Sequence, residues 1–231
     1  MRIEILSLFP DIINAYVSES IIGRGIKNKA IQINCTNIRD FSNNKHRKVD
    51  DAPFGGGYGM VMTCQPIVDC FRTVVSRLSG RTRSIYLSPQ GSVFTQDKAK
   101  ELVEYDNLIL ICGHYEGVDE RAITLCADEE ISVGDYVLTG GELPALIISD
   151  CVARLVPGVL PAEECFSDES LENGLLEYPQ YTRPRVFEGL EVPEVLLSGH
   201  EANIKKWRYE QSLERTLRKR PDLLKKNSID E

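Results

Sequence analysis

Three short segments of this 231-residue chain hold the groups from which a ligand pocket can be built: SPQG (Ser88 to Gly91), CGHYEGVDER (Cys112 to Arg121) and SVGDYVLTGGELPA (Ser132 to Ala145). Each has a glycine where the backbone must turn sharply or approach a ligand closely. A single such glycine as readily ends a strand. Three together, each after an apolar run, argue for one shared site beyond the carboxyl ends of parallel strands. The segments supply backbone N–H and C=O groups and the apolar side chains Leu87, Tyr136, Val137 and Leu138, but no lysine or arginine aimed at a phosphate. Neither G-x-x-x-x-G-K-[ST] nor G-x-G-x-x-G occurs, so phosphoryl and hydride transfer lose weight. The chemistry favoured is recognition of a nucleoside-type ligand.

The elements that must position these turns follow from periodicity. Arg2 to Phe9 and Ile31 to Ile38 read as strands, and Asp11 as the cap of a short helix running to Ser20. Asn43 to Gly59 is a polar, glycine-rich loop. Pro66 to Leu78 has helical spacing. Ser84 to Leu87 is a short strand ending in SPQG, and Thr95 caps a helix over Gln96 to Tyr105. Leu108 to Cys112 is the unbroken apolar run of a buried central strand. Val118 to Cys126 is a helix, Ile131 to Leu138 carries the third segment, and Glu142 to Val156 is a helix with Pro144 in its first turn. Strands alternating with helices predict an α/β fold with a mostly parallel sheet. The pattern breaks near Leu160. Pro161 to Asn173 is acidic and reads as a linker, and an amphipathic helix from Glu201 to Lys219 belongs to a separate small helical domain.

Composition sets outer bounds. The chain is 42% hydrophobic, and none of its apolar runs approaches the length of a membrane span. MRIEILSLFP has no signal-peptide pattern, so a cytoplasmic protein is expected. Seven cysteines without a C-x-x-C pair read as reduced thiols, and no His/Cys cluster has zinc-site spacing. The net charge of −8 argues weakly against nucleic acid, but KHRK (Lys45 to Lys48) and the tail from Lys205 to Lys226 are locally basic.

SPQG, CG-x-YEG-x-DER, GDYVL-[ST]-GGELPA, FGGGYGM (Phe54 to Met60) and YTRP (Tyr181 to Pro184) occur here in an order and spacing that resembles the bacterial tRNA (guanine-N1)-methyltransferases, the TrmD family of the SPOUT superfamily. The resemblance runs from Met1 to about Lys226. It implies a deep trefoil knot within a methyltransferase domain over 1–160, a linker over 161–176 and a helical tRNA-binding domain over 177–231. It implies S-adenosylmethionine as methyl donor, N1 of the guanosine just 3′ of the anticodon (position 37) as acceptor, and a homodimer whose active sites are shared between chains. Donor contacts carry over to Tyr86, Leu87, Ser88, Pro89, Gly113, Tyr115, Glu116, Val133, Gly134, Asp135, Tyr136, Val137, Leu138, Gly140, Gly141 and Pro144.

Guanine N1 is protonated at neutral pH, so methylation requires a base at N1 and a donor or cation near O6, where negative charge builds. The resemblance puts the base in SDESLENG, at Glu169 or its neighbour Asp168, and the O6 stabiliser at Arg154. The usual family pattern there is Asp-Ser-Phe, against Glu169-Ser170-Leu171 here, and His114 stands where the family usually has arginine. Glu116 and Glu177 match family acids that read the guanine edge or hold a magnesium ion. tRNA contacts are expected from Gly55, Gly56, Gly57, Gly59 and Met60, from His114, and from Arg183, Arg185, Lys205, Lys206, Arg208 and Arg215. Two other readings remain open: a related knotted methyltransferase with another RNA target, and a catalytically dead RNA-binding protein.

Overall fold

The computed structural model describes residues 1–161, 169–171 and 173–226. The chain forms two compact units, Met1–Pro161 and Ala162–Glu231. In the first, five parallel strands, β1 (Arg2–Ser7), β2 (Gln32–Asn37), β5 (Thr82–Val93), β6 (Asn107–Cys112) and β7 (Glu129–Ser132), lie in the order β2-β1-β6-β5-β7. This is the mostly parallel α/β sheet that the alternation predicts. All six residues of β6 are buried, which is why its sequence is an apolar run without alternation. Its side chains still alternate between two cores: Leu108, Leu110 and Cys112 join one cluster, Ile109 and Ile111 the other.

Helices cover both faces. The first core takes Ile13 and Val17 from α1 (Pro10–Val17), Ile22 from α2 (Ser20–Lys27), Ala99 and Leu102 from α4 (Gln96–Leu102), and Ala145, Leu146, Ile148 and Val152 from α6 (Glu142–Ala153). The second takes Ile67, Val68, Cys70 and Val74 from α3 (Cys64–Val75), and Ala122 and Cys126 from α5 (Glu120–Cys126).

Several expectations are corrected. Asp11 is not a cap: α1 starts at Pro10, and Asp11 lies in its first turn, where a carboxylate suits the helix dipole. A second helix, α2, follows where none was expected. Its two glycines serve contact: a Cβ on Gly25 would press on Val159 at 3.2 Å, and one on Gly23 would meet the Ser18 carbonyl oxygen at 2.4 Å. The 43–59 loop contains a short strand, β3 (Asp50–Asp51), paired antiparallel with β4 (Val61–Met62). SPQG does not end its strand. β5 runs through it, and its register on β7 shifts between Leu87 and Ser92, so the segment is a bulge. The other segments do end strands. β6 stops at Cys112 and β7 at Ser132.

The second unit contains a short hairpin, β8 (Val186–Phe187) with β9 (Leu190–Glu191), which the sequence did not reveal. Helices α7 (Glu194–Leu197), α8 (Glu201–Lys219) and α9 (Asp222–Lys226) follow, and α8 has the bounds read from its periodicity. Among the described residues no helix is long and apolar enough to cross a membrane.

Candidate active site

The three segments meet around one open cavity of about 250 Å³ at the bulge of β5 and the carboxyl ends of β6 and β7. The bulge contributes Tyr86, Leu87, Ser88 and Pro89, and the turn after β6 contributes Gly113, His114, Tyr115 and Glu116. The stretch after β7 contributes Val133, Gly134, Tyr136, Val137, Leu138, Gly140, Gly141 and Pro144. Gln90, Gly117, Ile131, Ser132 and Thr139 also line it without having been singled out from sequence. Asp135 does not line it. Tyr136 N–H donates to the Gly134 carbonyl at 2.9 Å, which leaves Asp135 at the apex of a tight turn with its side chain exposed.

The walls are held by backbone bonds rather than by side-chain packing alone. Gly141 N–H donates to the Gly113 carbonyl at 2.8 Å, and His114 bridges Gly140. Together they bring the start of α6 against the end of β6. A Cβ on Gly141 would lie 2.7 Å from Cys112 Cα, so only glycine admits this approach. Ser132 Oγ donates to the Gly134 carbonyl at 3.0 Å and accepts from Gly134 N–H at 3.2 Å, closing the turn below the cavity. Tyr115 sits at φ +61°, a left-handed conformation unusual for a bulky residue. Glu116 N–H to the Met60 carbonyl at 3.0 Å and Gly117 N–H to the His114 carbonyl at 3.2 Å hold it there.

No lysine or arginine is among the residues lining the cavity. At the rim, Arg39 Nη2 donates to Tyr115 Oη at 3.3 Å. Burial, with smaller contributions from Glu130 and Glu120, pushes the Tyr86 phenol up to about 12, so it stays protonated at neutral pH. Apolar walls, backbone donors and acceptors and an absence of fixed cations suit a nucleoside-like molecule without phosphates.

The glycine loop is of another kind. Gly55, Gly56, Gly57 and Gly59 all have positive φ, and Phe54 and Tyr58 are 100% and 99% exposed. The loop is anchored to the cavity at its end, through Met60 and the Met62 N–H, which donates to the Gly117 carbonyl at 2.9 Å.

Arg154 lies one residue past α6 and does not line the cavity of its own chain. It borders a different hollow, with Ile12, Tyr16, Leu143 and Asp150. In the second unit, Glu169, Lys205 and Arg208 border a cavity of about 660 Å³. Arg208 stacks over the Tyr178 ring at 4.6 Å. Glu177 accepts from Gln180 Nε2 at 2.6 Å, Arg185 pairs with Glu194 at 3.2 Å, and Arg183 is exposed. Asp168 lies outside the described residues. Among the described residues no three His, Cys, Asp or Glu side chains converge to hold a metal ion. The six described cysteines are free thiols, and burial pushes Cys35 and Cys70 up to about 12, which makes them unreactive.

Sequence reasoning passed over Glu142 and Ser7. Glu142 is 6% exposed, and Ser7 Oγ donates to its Oε1 at 2.7 Å across 135 positions of chain. Such a pairing leaves no local sequence signal.

The family model described as tRNA (Guanine-1)-methyltransferase TrmD matches residues 1–226. A tRNA (guanine-N(1)-)-methyltransferase of Ruminiclostridium cellulolyticum is 60% identical over 98% of this chain and 97% of its own length. One of Clostridioides difficile is 56% identical over 99% of both, and one of Alkaliphilus metalliredigens is 56% identical over 97% of this chain and 92% of its own. With the matched length covering nearly every element of both units and the whole lining of the cavity, the chain belongs to the tRNA (guanine-N1)-methyltransferase family and is an enzyme of that kind.

Proposed function

We propose that the chain methylates N1 of the guanosine immediately 3′ of the anticodon, position 37, in tRNA, with S-adenosylmethionine as donor. One observation carries the donor reading: a strand bulge and two glycine-rich turns converge on a cavity with no lysine or arginine among its described lining, in a chain of this family. The donor, when bound, supplies an electrophilic methyl group. The Tyr86 to Pro89 bulge and the turns at Gly113, Gly134 and Gly140 to Gly141 hold its nucleoside part by backbone hydrogen bonds and apolar contact. Backbone hydrogen bonds fix these walls to one another, which favours correct placement of the bound molecule.

The chain's own groups handle the proton. Glu169, or Asp168, takes the N1 proton of guanine as the new N–C bond forms, and Arg154 stabilises charge building at O6. Arg154 lies away from the cavity of its own chain, which supports a homodimer in which each chain completes the other's site. Ile12, Tyr16, Leu143 and Ile147 on α1 and α6 are each 45–55% exposed and form the apolar surface such a dimer would cover. The trefoil knot is supported by the return of the chain after β7 past the end of β6 at Gly140 and Gly141. The glycine loop and the basic side chains of the second unit (Arg183, Arg185, Lys205, Arg208) bind the anticodon stem-loop, with residues 161–176 as linker and 177–231 as the tRNA-binding domain. The protein acts in the cytoplasm, where its substrate is.

The test is nucleoside analysis of unmodified tRNA incubated with enzyme, with and without S-adenosylmethionine. 1-Methylguanosine beside the anticodon, formed only with the donor, is expected. Another methylated nucleoside would favour a related enzyme with a different RNA target, and binding without any product would favour the catalytically dead reading.

A further inference from the structure

The turn after β6 and the first turn of α6 meet at a pair of groups that the scheme above leaves unused. His114 Nδ1 is buried, has no hydrogen-bond partner among the described residues, and lies 4.0 Å from Glu142 Oε2. The other carboxylate oxygen, Oε1, is engaged by the Ser7 hydroxyl. That hydroxyl accepts from Phe9 N–H at 2.8 Å, which directs its own proton to Glu142. Among the described residues Oε2 therefore faces the imidazole and no other recorded donor. A buried carboxylate oxygen and a buried ring nitrogen each carry a desolvation cost until they are joined. They stand about 1 Å beyond hydrogen-bond distance, and a small ring displacement closes the gap.

The surroundings favour that arrangement. The imidazole packs against Phe9 at 5.0 Å and Tyr115 at 5.1 Å, which limits its rotation. A Cβ on Gly140 would lie 2.5 Å from both Glu142 Oε2 and His114 Nδ1, so a glycine there is what lets the two come together. The His114 side chain keeps 23% exposure although Nδ1 is buried, so the open edge of the ring is the one carrying Nε2. His114 itself lines the donor cavity.

We propose that Glu142 is a positioning residue for methyl transfer, acting through His114. Oε2 accepts from Nδ1–H, which fixes the tautomer with its proton on Nδ1 and presents Nε2 as an acceptor to the cavity. Nε2 then takes an N–H of the bound molecule, from either the donor or the guanine base. The inference rests on the reading of this cavity as the donor site.

Two measurements on the full chain test it. The first is 15N NMR of histidine-labelled protein without ligands. There are only three histidines, His46, His114 and His200, and a His114→Asn variant assigns the signal. A protonated Nδ1 with an unprotonated Nε2 is expected, and the opposite tautomer overturns the proposal. The second is a double-mutant cycle in the methylation assay. Glu142→Ala is expected to lower kcat/KM about 10-fold in the wild type and less than 2-fold in a His114→Ala background. Equal losses in both backgrounds, or no loss in either, overturn it. If Glu142→Ala fails to fold, Glu142→Asp replaces it: it keeps an acid at the helix N-terminus but shortens the reach to His114. A raised KM for S-adenosylmethionine assigns the N–H to the donor, and a raised KM for tRNA assigns it to the base. Should the wild type not methylate tRNA at all, the donor-site reading fails while the NMR result still stands on its own.

Discussion

Gly141 and Gly56 belong to two glycine-rich stretches of one compact unit, and they are glycine for opposite reasons. At Gly141 the backbone is ordinary (φ −82°) but space is absent, since a Cβ would press on Cys112 Cα at 2.7 Å. At Gly56 space is open, with nothing within 4 Å, but φ is +79°. The first pattern describes a wall built by backbones in contact. The second describes a loop whose bends are local and whose flanking aromatics, Phe54 and Tyr58, are uncovered. A small rigid donor suits the first, and a large macromolecular substrate suits the second. Substitutions in the crowded region should therefore cost donor binding and stability. Those in the open regions should cost tRNA turnover and leave donor binding alone.

The largest expected effect lies outside both stretches, in the second unit. Glu169→Ala should lower kcat by about 10²- to 10⁴-fold, the usual worth of a general base, with donor affinity unchanged by calorimetry. If Glu169→Ala, Asp168→Ala and the double variant all retain the full rate, the proton-abstraction scheme is wrong. On the crowded side, Gly141→Ala should lose about 1–3 kcal/mol of stability to overpacking and abolish detectable donor binding. Retention of both would show that the contact between α6 and β6 is not what shapes the cavity.

A smaller effect tests the support beneath the crowded wall. Glu129 on β7 accepts from Arg83 Nε at 2.7 Å and pairs with Lys98 Nζ at 2.7 Å, tying β7 to β5 and α4. Burial alone would raise its carboxyl, but the Arg83 and Lys98 bonds outweigh burial and hold it below its ordinary value. Because the folded value is depressed, the stabilisation is present above the unfolded value, near about pH 4.3, and fades as pH falls through the folded one. Glu129→Gln should cost about 1–2 kcal/mol at pH 7. The Tm gap to wild type should narrow in acid, and a gap that widens there contradicts the assignment. The smallest effect is expected at Gly56→Ala, where left-handed strain of about 1–2 kcal/mol is confined to the loop. A few-fold rise in KM for tRNA should appear with a Tm drop of about 2–8 °C and no change in donor affinity.

These regions were not equally legible in the sequence. β6 could be read because burial on both faces leaves an apolar run, and α8 because its periodicity is long and uninterrupted. The cavity-lining residues were legible as glycine turns after apolar runs, and the family resemblance sharpened them to individual positions. What escaped reading depends on distant partners. α2 was missed because Gly23 and Gly25 look like breakers until Ser18 and Val159 are seen against them. Asp135 looks like its neighbours in GDYVL, and only the 134–136 hydrogen bond turns it outward. Arg154 reads as one more residue of α6, and its separation from the cavity is a matter of which helix face it leaves by. Ser7, His114 and Glu142 lie on three separate stretches of chain and meet only in space.

The bulge in β5 has a consequence for how the site comes into being. β5 pairs with β7 on both sides of SPQG, through Leu87 with Ile131 below it and Ser92 and Val93 with Ile131 and Ser132 above. Phe94 N–H adds a bond to the Ser132 carbonyl at 2.8 Å. β7 is thus fastened by two latches with the cavity floor between them, and opening either one unmakes the floor. In hydrogen–deuterium exchange the amides on either side of the bulge should exchange together as one cooperative unit, and that shared rate would time the appearance and loss of the donor site itself.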